Sequence, residues 1–255
     1  MKILQKIIAH KRQELKQQKL LVPLSSLAKK RPLPARDFRG SITRHETISI
    51  IGEIKKRSPS GGQLINDLNP ATIARQYEKN RIQAISVLTD QKFFGGNPAH
   101  LRAVKNATNL PVLRKDFIID DYQVHESYAL GADAILLIAR VLDESELTHF
   151  ITLAKELGLV CLVEIHTKQD LNKALNCGVE ILGVNNRDLD NLEVDITTAL
   201  KLRPQIPDDH ITVCESGIRS REHVLMMQQA GYDAVLIGET LMRAENIEAK
   251  IRELL

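Results

Sequence analysis

The residues of this sequence that are best suited to acid–base chemistry are lysines and carboxylates at the ends of short apolar segments. Glu53 and Lys55 lie at the end of one segment, Lys115 follows another and Glu164 ends a third. A charge beside an apolar strand is costly to desolvate unless it is paired, so each residue alone is typical of a salt bridge at a strand end. Lysines and carboxylates that face one cavity move each other's pKa values apart, which supplies an acid and a base near neutral pH. The cluster therefore favours acid–base catalysis.

Two turns that contain glycine are typical of anion binding. Ser216-Gly217 follows one apolar segment, and Gly238 follows the last. When such turns follow the seventh and eighth strands of a barrel, backbone N–H groups and a short helix N-terminus commonly bind phosphate. The sequence does not favour a metal site, because its histidines show no ligand spacing such as H-E-x-x-H. It also has neither a Walker motif nor a G-x-G-x-x-G turn that opens a helix.

The elements that position these residues begin near residue 48, where short apolar segments start to alternate with helix-period stretches. Segments that are apolar on both faces are typical of buried parallel strands, which helices usually connect. Eight such units of roughly 25 residues favour an α/β fold with a closed (β/α)8 barrel, the TIM barrel. An open doubly wound sheet is the structural alternative. The predicted strands cover residues 48–54, 84–88, 111–114, 134–138, 160–164, 181–184, 211–213 and 234–237.

The stretches between the strands carry typical helix signals. Asn69 and Asn97 each precede a proline, which predicts an N-cap with Pro at the first helical position, and Gly131 and Gly231 each follow a helical stretch as stops. The phrase Gly131-Ala-Asp-Ala-Ile-Leu-Leu-Ile recurs as Gly231-Tyr-Asp-Ala-Val-Leu-Ile-Gly, which indicates an internal repeat. The predicted helices cover residues 70–79, 98–107, 122–130, 144–157, 169–177, 197–202, 221–230 and 247–254.

We expect a single barrel domain over residues 1–255, of which residues 1–46 are an N-terminal helical extension and connector. Ile3, Ile7, Ile8 and Leu15 fall at helical spacing, which predicts an amphipathic leading helix. Its basic residues, Lys11 among them, are expected on a solvated face. Residues 22–38 contain three prolines and show no clear period, so they are predicted to form a connector.

The composition excludes several classes of partner. The net charge of +3 is spread over interleaved acids and bases, and the chain has no Trp, 4 Tyr and 5 Phe, so we expect no nucleic-acid binding. No stretch approaches the ~20 apolar residues of a membrane-spanning helix, and the N-terminus shows no signal-peptide pattern, so we expect a soluble protein with no membrane partner. The 3 cysteines form no C-x-x-C pair and no even disulfide set, which favours a reducing cytoplasm.

Beyond these patterns, the sequence resembles the indole-3-glycerol phosphate synthase family, barrel enzymes of tryptophan biosynthesis. The resemblance covers essentially the whole chain, including the leading helix, and its first motif is highly specific. The motifs are Gly52-Glu-Ile-Lys-Lys-Arg-Ser-Pro-Ser-Gly61, Ser86-Val-Leu-Thr-Asp90, Phe93-Phe-Gly-Gly96, Leu113-Arg-Lys-Asp-Phe117, Leu162-Val-Glu-Ile165, Gly183-Val-Asn-Asn-Arg-Asp-Leu189, Cys214-Glu-Ser-Gly-Ile218 and Leu236-Ile-Gly238.

The resemblance implies a lyase that closes 1-(2-carboxyphenylamino)-1-deoxyribulose 5-phosphate to indole-3-glycerol phosphate, with loss of CO2 and water and no cofactor. Lys115 matches the general acid of ring closure, and Glu164 matches the base or the stabiliser of developing positive charge. Glu53 and Lys55 match the first-strand pair, in which Lys55 would contact the substrate carboxylate and is a candidate acid for dehydration. The step that each lysine serves stays open at the level of sequence.

The resemblance also implies a set of substrate contacts. Asn185 matches an asparagine that orients Glu164 and the substrate hydroxyls, and Arg187 matches an arginine near the substrate carboxylate. Phe93, Phe117, Leu136 and Leu189 are candidates for the wall around the aromatic group, with ordinary packing as the alternative. The remaining contacts implied for the substrate are Ser216, Gly217 and Gly238 at the phosphate turns and Ser58 on a mobile first loop.

Glu239 departs from the pattern expected for the family, in which many members have Ser after the last Ile-Gly turn. Its carboxylate would repel a phosphate if it pointed inward. We therefore expect the backbone N–H of Glu239 to face the phosphate and its side chain to point outward.

Two other functions remain as alternatives. A barrel similar to phosphoribosylanthranilate isomerase would share the phosphate turns, but its acid and base are expected to be a Cys and an Asp, whereas the first segment here ends in Glu53 and Lys55. A non-catalytic barrel that binds a partner through its basic leading helix would not need the charged cluster. For the enzyme we expect a phosphorylated small-molecule substrate and a monomer, and we leave weak association with other enzymes of the pathway open.

Overall fold

The computed structural model describes residues 2–27, 31–44 and 46–255, which include a closed barrel of eight parallel strands. The first strand pairs with both the second and the last, so the predicted barrel is confirmed and the open sheet is excluded. Every strand is largely buried, in keeping with segments that are apolar on both faces. The barrel strands are β1 (Ser49–Ile54), β2 (Ala84–Leu88), β3 (Val112–Lys115), β4 (Ala134–Ile138), β5 (Val160–Ile165), β6 (Ile181–Asn185), β7 (Ile211–Glu215) and β8 (Ala234–Ile237).

Helices connect consecutive strands. The predicted caps are present: the side chain of Asn69 accepts a hydrogen bond from the N–H of Thr72, and that of Asn97 accepts one from Ala99. The helices are α1 (Ile3–Leu21), α2 (Phe38–Ile42), α3 (Pro70–Lys79), α4 (Gln91–Phe94), α5 (Pro98–Ala107), α6 (Asp121–Leu130), α7 (Glu144–Glu156), α8 (Lys168–Asn176), α9 (Thr197–Leu202), α10 (Arg221–Gln229), α11 (Glu239–Met242) and α12 (Ile247–Leu254), with 3-10 turns at Leu24–Ser26 and Arg203–Gln205.

The internal repeat has a structural counterpart at the start of two strands. The carboxylate of Asp133, one residue before β4, accepts a hydrogen bond of 2.8 Å from the N–H of Val112 at the start of β3. The carboxylate of Asp233, one residue before β8, accepts a hydrogen bond of 2.8 Å from the N–H of Thr212 in β7. Both aspartates therefore fix the beginning of the strand that precedes their own.

The barrel interior is filled by side chains from the strands and is extended by α2. Phe38 and Ile42 are fully buried and belong to the same apolar cluster as Ala84, Ala134 and Ala234 at the starts of their strands. The sequence did not predict α2, because a helix of five residues is too short to show a period. Residues 28–30 of the predicted connector lie outside the described part of the chain.

Helix α1 confirms the predicted leading helix, but the expectation that Lys11 is solvated was wrong. Its side chain is only 2% exposed, and its Nζ atom lies 3.0 Å from Asp90 Oδ2 and 3.0 Å from Asp116 Oδ1. Burial alone would lower the pKa of Lys11, yet the carboxylates of Asp116, Asp90 and Glu14 raise it above its ordinary value. Lys11 therefore attaches α1 to the barrel, at residues within two positions of the ends of β2 and β3.

None of the helices within residues 2–27, 31–44 and 46–255 has both the length and the hydropathy needed to cross a bilayer.

Candidate active site

The charged residues predicted from the sequence converge at the mouth of the barrel formed by the C-terminal ends of the strands. Glu53 lies in β1, Glu164 in β5, and Lys115 and Asn185 are the last residues of β3 and β6. In barrels of this kind the C-terminal face is where reactive side chains collect. The predicted convergence is therefore present.

Lys115 lies at the centre of a group of carboxylates. Its Nζ atom is 2.5 Å from Glu215 Oε2, 3.7 Å from Glu53 Oε2 and 4.0 Å from Glu164 Oε2. A second lysine joins the group, because Lys55 Nζ lies 2.5 Å from Glu53 Oε1. Within the described residues, no three His, Cys, Asp or Glu side chains have the arrangement of a metal site.

The electrostatics of this group keep Lys115 charged. Burial alone would lower the pKa of Lys115, but the carboxylates of Glu215, Glu53 and Glu164 raise it above its ordinary value. Burial alone would raise the pKa of Glu53, but the ammonium groups of Lys55 and Lys115 lower it below its ordinary value. At neutral pH the group thus contains a protonated amine beside an ionised carboxylate.

Glu164 differs from the other carboxylates of the group in its proton affinity. Burial and the nearby carboxylate of Glu215 raise the pKa of Glu164 to about 7, against the opposing effects of Lys115 and of a hydrogen bond from Asn185. A carboxyl group that titrates near neutral pH exchanges protons in either direction, as a general acid or base must. The sequence analysis expected lysines and carboxylates in one cavity to move each other's pKa values apart, and the pKa shifts of Lys115 and Glu164 agree with that expectation.

Glu215 is the member of the group to which the sequence assigned no role. It ends β7 and is fully buried, with its Oε1 atom lacking any hydrogen-bond partner among the described residues. Gly183 on the neighbouring strand β6 makes room for it, because a Cβ atom there would lie 2.2 Å from Glu215 Oε1. The signal was present in the sequence, since Glu215 follows an apolar segment just as Glu164 does.

The loop after β1, residues 55–63, carries Lys55 and Ser58 and forms a small hairpin. Arg57–Ser58 pairs antiparallel with Gly62–Gln63, and the Oγ atom of Ser58 accepts a hydrogen bond of 3.0 Å from the N–H of Gly61. We call residues 55–63 the first loop. The hairpin places Ser58 at the edge of the cavity at the barrel mouth, where Lys55 also lies.

The first of the two turns predicted to bind phosphate has an unusual backbone conformation. Ser216 and Gly217 have φ angles of 67° and 84°, so a non-glycine residue adopts the left-handed conformation directly beside a glycine. Such conformations are costly for residues other than glycine and are concentrated at functional sites. At the other turn, Gly238 leaves space for Glu53, since a Cβ atom there would lie 2.1 Å from Glu53 Oε1.

Glu239 has its side chain in a different place from the one expected. Its carboxylate lies 3.0 Å from Arg243 Nε and 3.7 Å from Arg187 Nη2. All three residues line the cavity, so the carboxylate is not directed away from the site into solvent. The two arginines compensate its charge. The unfavourable effect that we expected of an inward carboxylate on a phosphate is thereby reduced.

The apolar part of the cavity is built by strand ends, by the loop after β2 and by α1. Phe117 and Leu189 line it as predicted, together with Leu136. Phe93, another of the predicted wall residues, does not line the cavity and packs its ring against His10, and Phe94 takes its place with its ring 6.0 Å from that of Phe117. Three side chains of α1 that the sequence did not assign to the site also line the cavity, and these are Ile3, Leu4 and Ile7.

The cavity has a volume of about 500 Å³, within the range of small-molecule sites. Of the site residues predicted from the sequence, the wall candidate Phe93 does not line it. The predicted residues that do are Glu53, Lys55, Ser58, Lys115, Phe117, Leu136, Glu164, Asn185, Arg187, Leu189, Ser216, Gly217, Gly238 and Glu239. The lining therefore combines a cluster of charged side chains with a set of apolar ones.

Comparison with solved structures agrees with the fold. The 3-hexulose-6-phosphate synthase of Salmonella typhimurium superposes with a TM-score of 0.65 at 16% sequence identity, covering 81% of this chain and 96% of that chain. At this level of identity the likeness concerns the fold alone.

Comparison with protein sequences is more specific. The chain is 46% identical over 254 residues to the indole-3-glycerol phosphate synthase of Alkaliphilus metalliredigens (strain QYMF), covering 99% of this chain and 97% of that protein. It is also 46% identical over 253 residues to the protein of the same name from Legionella pneumophila (strain Paris), covering 99% and 98%. The model of the family described as indole-3-glycerol phosphate synthase matches residues 4–254. The chain therefore belongs to the indole-3-glycerol phosphate synthase family, ring-closing and decarboxylating lyases of tryptophan biosynthesis.

Proposed function

We propose that the lysines and glutamates at the barrel mouth catalyse the closure of 1-(2-carboxyphenylamino)-1-deoxyribulose 5-phosphate to indole-3-glycerol phosphate by acid–base chemistry. The observation that carries this proposal is the position of the Lys115 ammonium group, within 4.0 Å of the carboxylates of Glu53, Glu164 and Glu215. The reaction needs a proton donor at two steps and a proton acceptor at one, and this cluster contains both.

In the first step, the ring carbon that bears the carboxylate attacks the ketone carbon of the sugar chain. The ketone oxygen takes a proton from Lys115 and becomes a hydroxyl, while the ring nitrogen becomes an iminium cation. The carboxylate then leaves as CO2, and the electrons of its bond restore the aromatic ring and neutralise the nitrogen. The Glu164 carboxylate is placed to stabilise the positive charge that develops during the attack.

In the second step, the new hydroxyl is protonated and leaves as water, and a base removes a proton from the carbon next to the nitrogen to form the indole ring. Glu164 is our candidate for this base, because its pKa of about 7 allows it to accept that proton near neutral pH. Lys55, which lies 2.5 Å from Glu53, is our candidate for the acid of this step. Over the whole reaction one proton is taken up, since a carboxylate is replaced by CO2.

The other site residues bind and orient the substrate. Ser216, Gly217 and Gly238 would hold the phosphate, with Ser58 nearby on the first loop. Asn185 would orient the hydroxyls of the sugar chain, and its side chain is itself fixed, because its Oδ1 atom accepts a hydrogen bond of 2.9 Å from the N–H of Arg187. The remaining contacts are proposed for Arg187 at the carboxylate, for the backbone of Glu239 at the phosphate, and for Phe117 and Leu189 at the aromatic ring.

The proposal is tested by a turnover assay with the purified protein and the carboxyphenylamino-deoxyribulose phosphate in the presence of EDTA. Formation of the indole product is followed by its fluorescence. We expect turnover at ordinary enzymic rates without added metal or cofactor. Folded protein that yields no product would refute the proposal.

The same preparation is then given the substrate of phosphoribosylanthranilate isomerase, because that enzyme is the alternative with a related ligand. We expect no isomerisation: the three cysteines do not line the described cavity, whereas an acid of the Cys type is expected for that reaction. The non-catalytic alternative predicts that substitutions in the charged cluster leave the function of the protein intact.

We further infer that residues 1–255 act as one barrel domain with residues 1–46 as its extension and connector, and that the enzyme works as a monomer in the cytoplasm. Family membership supports the cytoplasmic location. Sedimentation of the purified protein over a range of concentrations tests the monomer.

A further inference from the structure

Two arginines from different parts of the barrel hold the tip of the first loop. Arg187, in the loop after β6, donates a hydrogen bond of 2.8 Å from Nη1 to Ser60 Oγ. Arg243, which directly follows α11, donates a hydrogen bond of 2.5 Å from Nη2 to the carbonyl oxygen of Gly61. Neighbouring residues of the loop are therefore attached to the loops after β6 and β8.

Glu239 links these two arginines to each other. Its Oε1 atom lies 3.0 Å from Arg243 Nε, and its Oε2 atom lies 3.7 Å from Arg187 Nη2. The carboxylate thus fixes the direction of both guanidinium groups, and each group uses another nitrogen to reach the loop. A charged donor that is already oriented makes a stronger hydrogen bond than one that must first be ordered.

The attached segment carries residues that the proposed reaction needs. Ser58 Oγ accepts a hydrogen bond from the N–H of Gly61, which links Ser58 to the tip of the loop. Lys55 lies at the start of the same loop. On the other side, Arg57 Nη2 donates a hydrogen bond of 3.1 Å to the carbonyl oxygen of Gln91 in α4. The first loop is therefore anchored on both sides of the mouth.

We propose that Glu239, Arg187 and Arg243 form a clasp that closes the first loop over the cavity, which makes Glu239 and Arg243 positioning residues for Lys55 and Ser58. The inference rests on the proposed function. It also accounts for the carboxylate at position 239, which no role in phosphate binding explains.

The exposure of the clasp suits a reversible contact. The Arg243 side chain is 46% exposed and the Glu239 side chain is 35% exposed. Ion pairs that reach solvent to this extent are weak, so the clasp can open and close during turnover. A loop that covers a substrate must open again to release the product.

The simpler explanation is that Arg243 and Glu239 are an ordinary pair, four residues apart, that stabilises the end of α11. The chain offers a matched control in the next helix, where Arg252 Nη1 lies 3.8 Å from Glu248 Oε2 at the same spacing. That pair makes no contact with the first loop. Arg252→Gln therefore reports the effect of losing a surface ion pair without loss of the clasp.

The test is hydrogen–deuterium exchange of the substrate-free protein, which does not depend on the reaction. We expect residues 57–64 to exchange about three- to tenfold faster in Arg243→Gln and in Glu239→Gln, since each removes a charge-assisted hydrogen bond or its support. Arg252→Gln should exchange at the wild-type rate in this segment. The double variant should exchange little faster than Arg243→Gln, because both changes open the same clasp.

Kinetics provide the second readout. We expect kcat/KM to fall in parallel with the loss of protection in residues 57–64, while the pH dependence near pH 7 keeps its shape because Glu164 is unchanged. Wild-type exchange of residues 57–64 in both single variants would overturn the clasp. If Arg243→Gln raises exchange throughout β8 and α12, the substitution has disturbed folding. In that case the exchange of residues 57–64 in Glu239→Gln, the smaller change, decides whether the clasp exists.

Discussion

The Nζ atom of Lys115 lies 2.5 Å from Oε2 of Glu215, although these residues end strands β3 and β7 on opposite sides of the barrel. The lysine side chain therefore extends across the mouth instead of along its own strand. Its ammonium group lies within 4.0 Å of a carboxylate oxygen of Glu215, Glu53 and Glu164, so it offsets the repulsion among these three groups. A single cation thus holds the mouth together electrostatically, and in the proposed mechanism the same group donates a proton.

We expect Lys115→Met to lose turnover by ~100- to 10,000-fold, the range typical for removal of a general acid. The measurement is kcat with the carboxyphenylamino-deoxyribulose phosphate. Lys201→Met is the control, because the Lys201 side chain is 71% exposed and pairs with Asp195 away from the cavity. A Lys115→Met enzyme with near-wild-type kcat would remove this lysine from the proposed mechanism.

The activity should depend on the ionisation of Glu164. Because its pKa is raised to about 7 and its proposed roles need the carboxylate form, kcat/KM should increase as the pH rises through about 7. In Glu164→Gln, the residual kcat/KM should lack this increase. A profile that stays unchanged in the variant would assign the ionisation to another group.

The stability of the protein should also depend on Glu164, with a defined sign. The folded-state pKa of about 7 lies above the ordinary value of 4.5, so the stabilisation from its protonated form is complete below pH 4.5 and is lost as the pH rises through about 7. Glutamine carries no charge at any pH. The Tm of Glu164→Gln minus that of the wild type should therefore increase from pH 4.5 to pH 8.

The control for this measurement is Glu156→Gln, at the exposed end of α7. Its Tm difference from the wild type should stay nearly constant over the same range. A difference for Glu164→Gln that shrinks with rising pH would contradict the raised pKa.

Lys11→Met should destabilise the protein by about 3–5 kcal/mol, because it leaves the buried carboxylate of Asp90 without its cation and leaves Asp116 with Arg114 alone. Urea unfolding at neutral pH measures this change. Lys16→Met, on the exposed face of the same helix, should change the free energy of unfolding by no more than about 0.5 kcal/mol. Equal effects of the two substitutions would show that Lys11 does not anchor α1.

The sequence predicted the barrel well because each strand and each long helix has its own local signal. The strands at 84–88, 134–138 and 234–237 begin and end where they were predicted. The strand predicted at 211–213 instead extends to Glu215, since a charged residue is unfavourable in a buried strand unless a distant partner such as Lys115 compensates it. A search for local apolar segments does not detect that partner.

The same limit explains the misplacement of Lys11 and of the Glu239 side chain. Helical spacing assigns Lys11 to a polar face, and its burial depends on two aspartates that follow different strands. Glu239 points toward Arg187 and Arg243 because the barrel brings the segments after β6 and β8 together. The short helices α2, α4 and α11 were missed for another reason, since four or five residues complete barely more than one turn.

The paired use of Asp133 and Asp233 has a consequence for how this protein can change over evolution. Both carboxylates lie at the rim formed by the starts of the strands, where they set the alignment of neighbouring strands. The charged cluster lies at the opposite rim, formed by the ends of the strands. Substitutions that alter the chemistry at one rim therefore leave the alignment signals at the other intact. Descendants of such a sequence can acquire new reactions while inheriting a barrel that still closes in the same register.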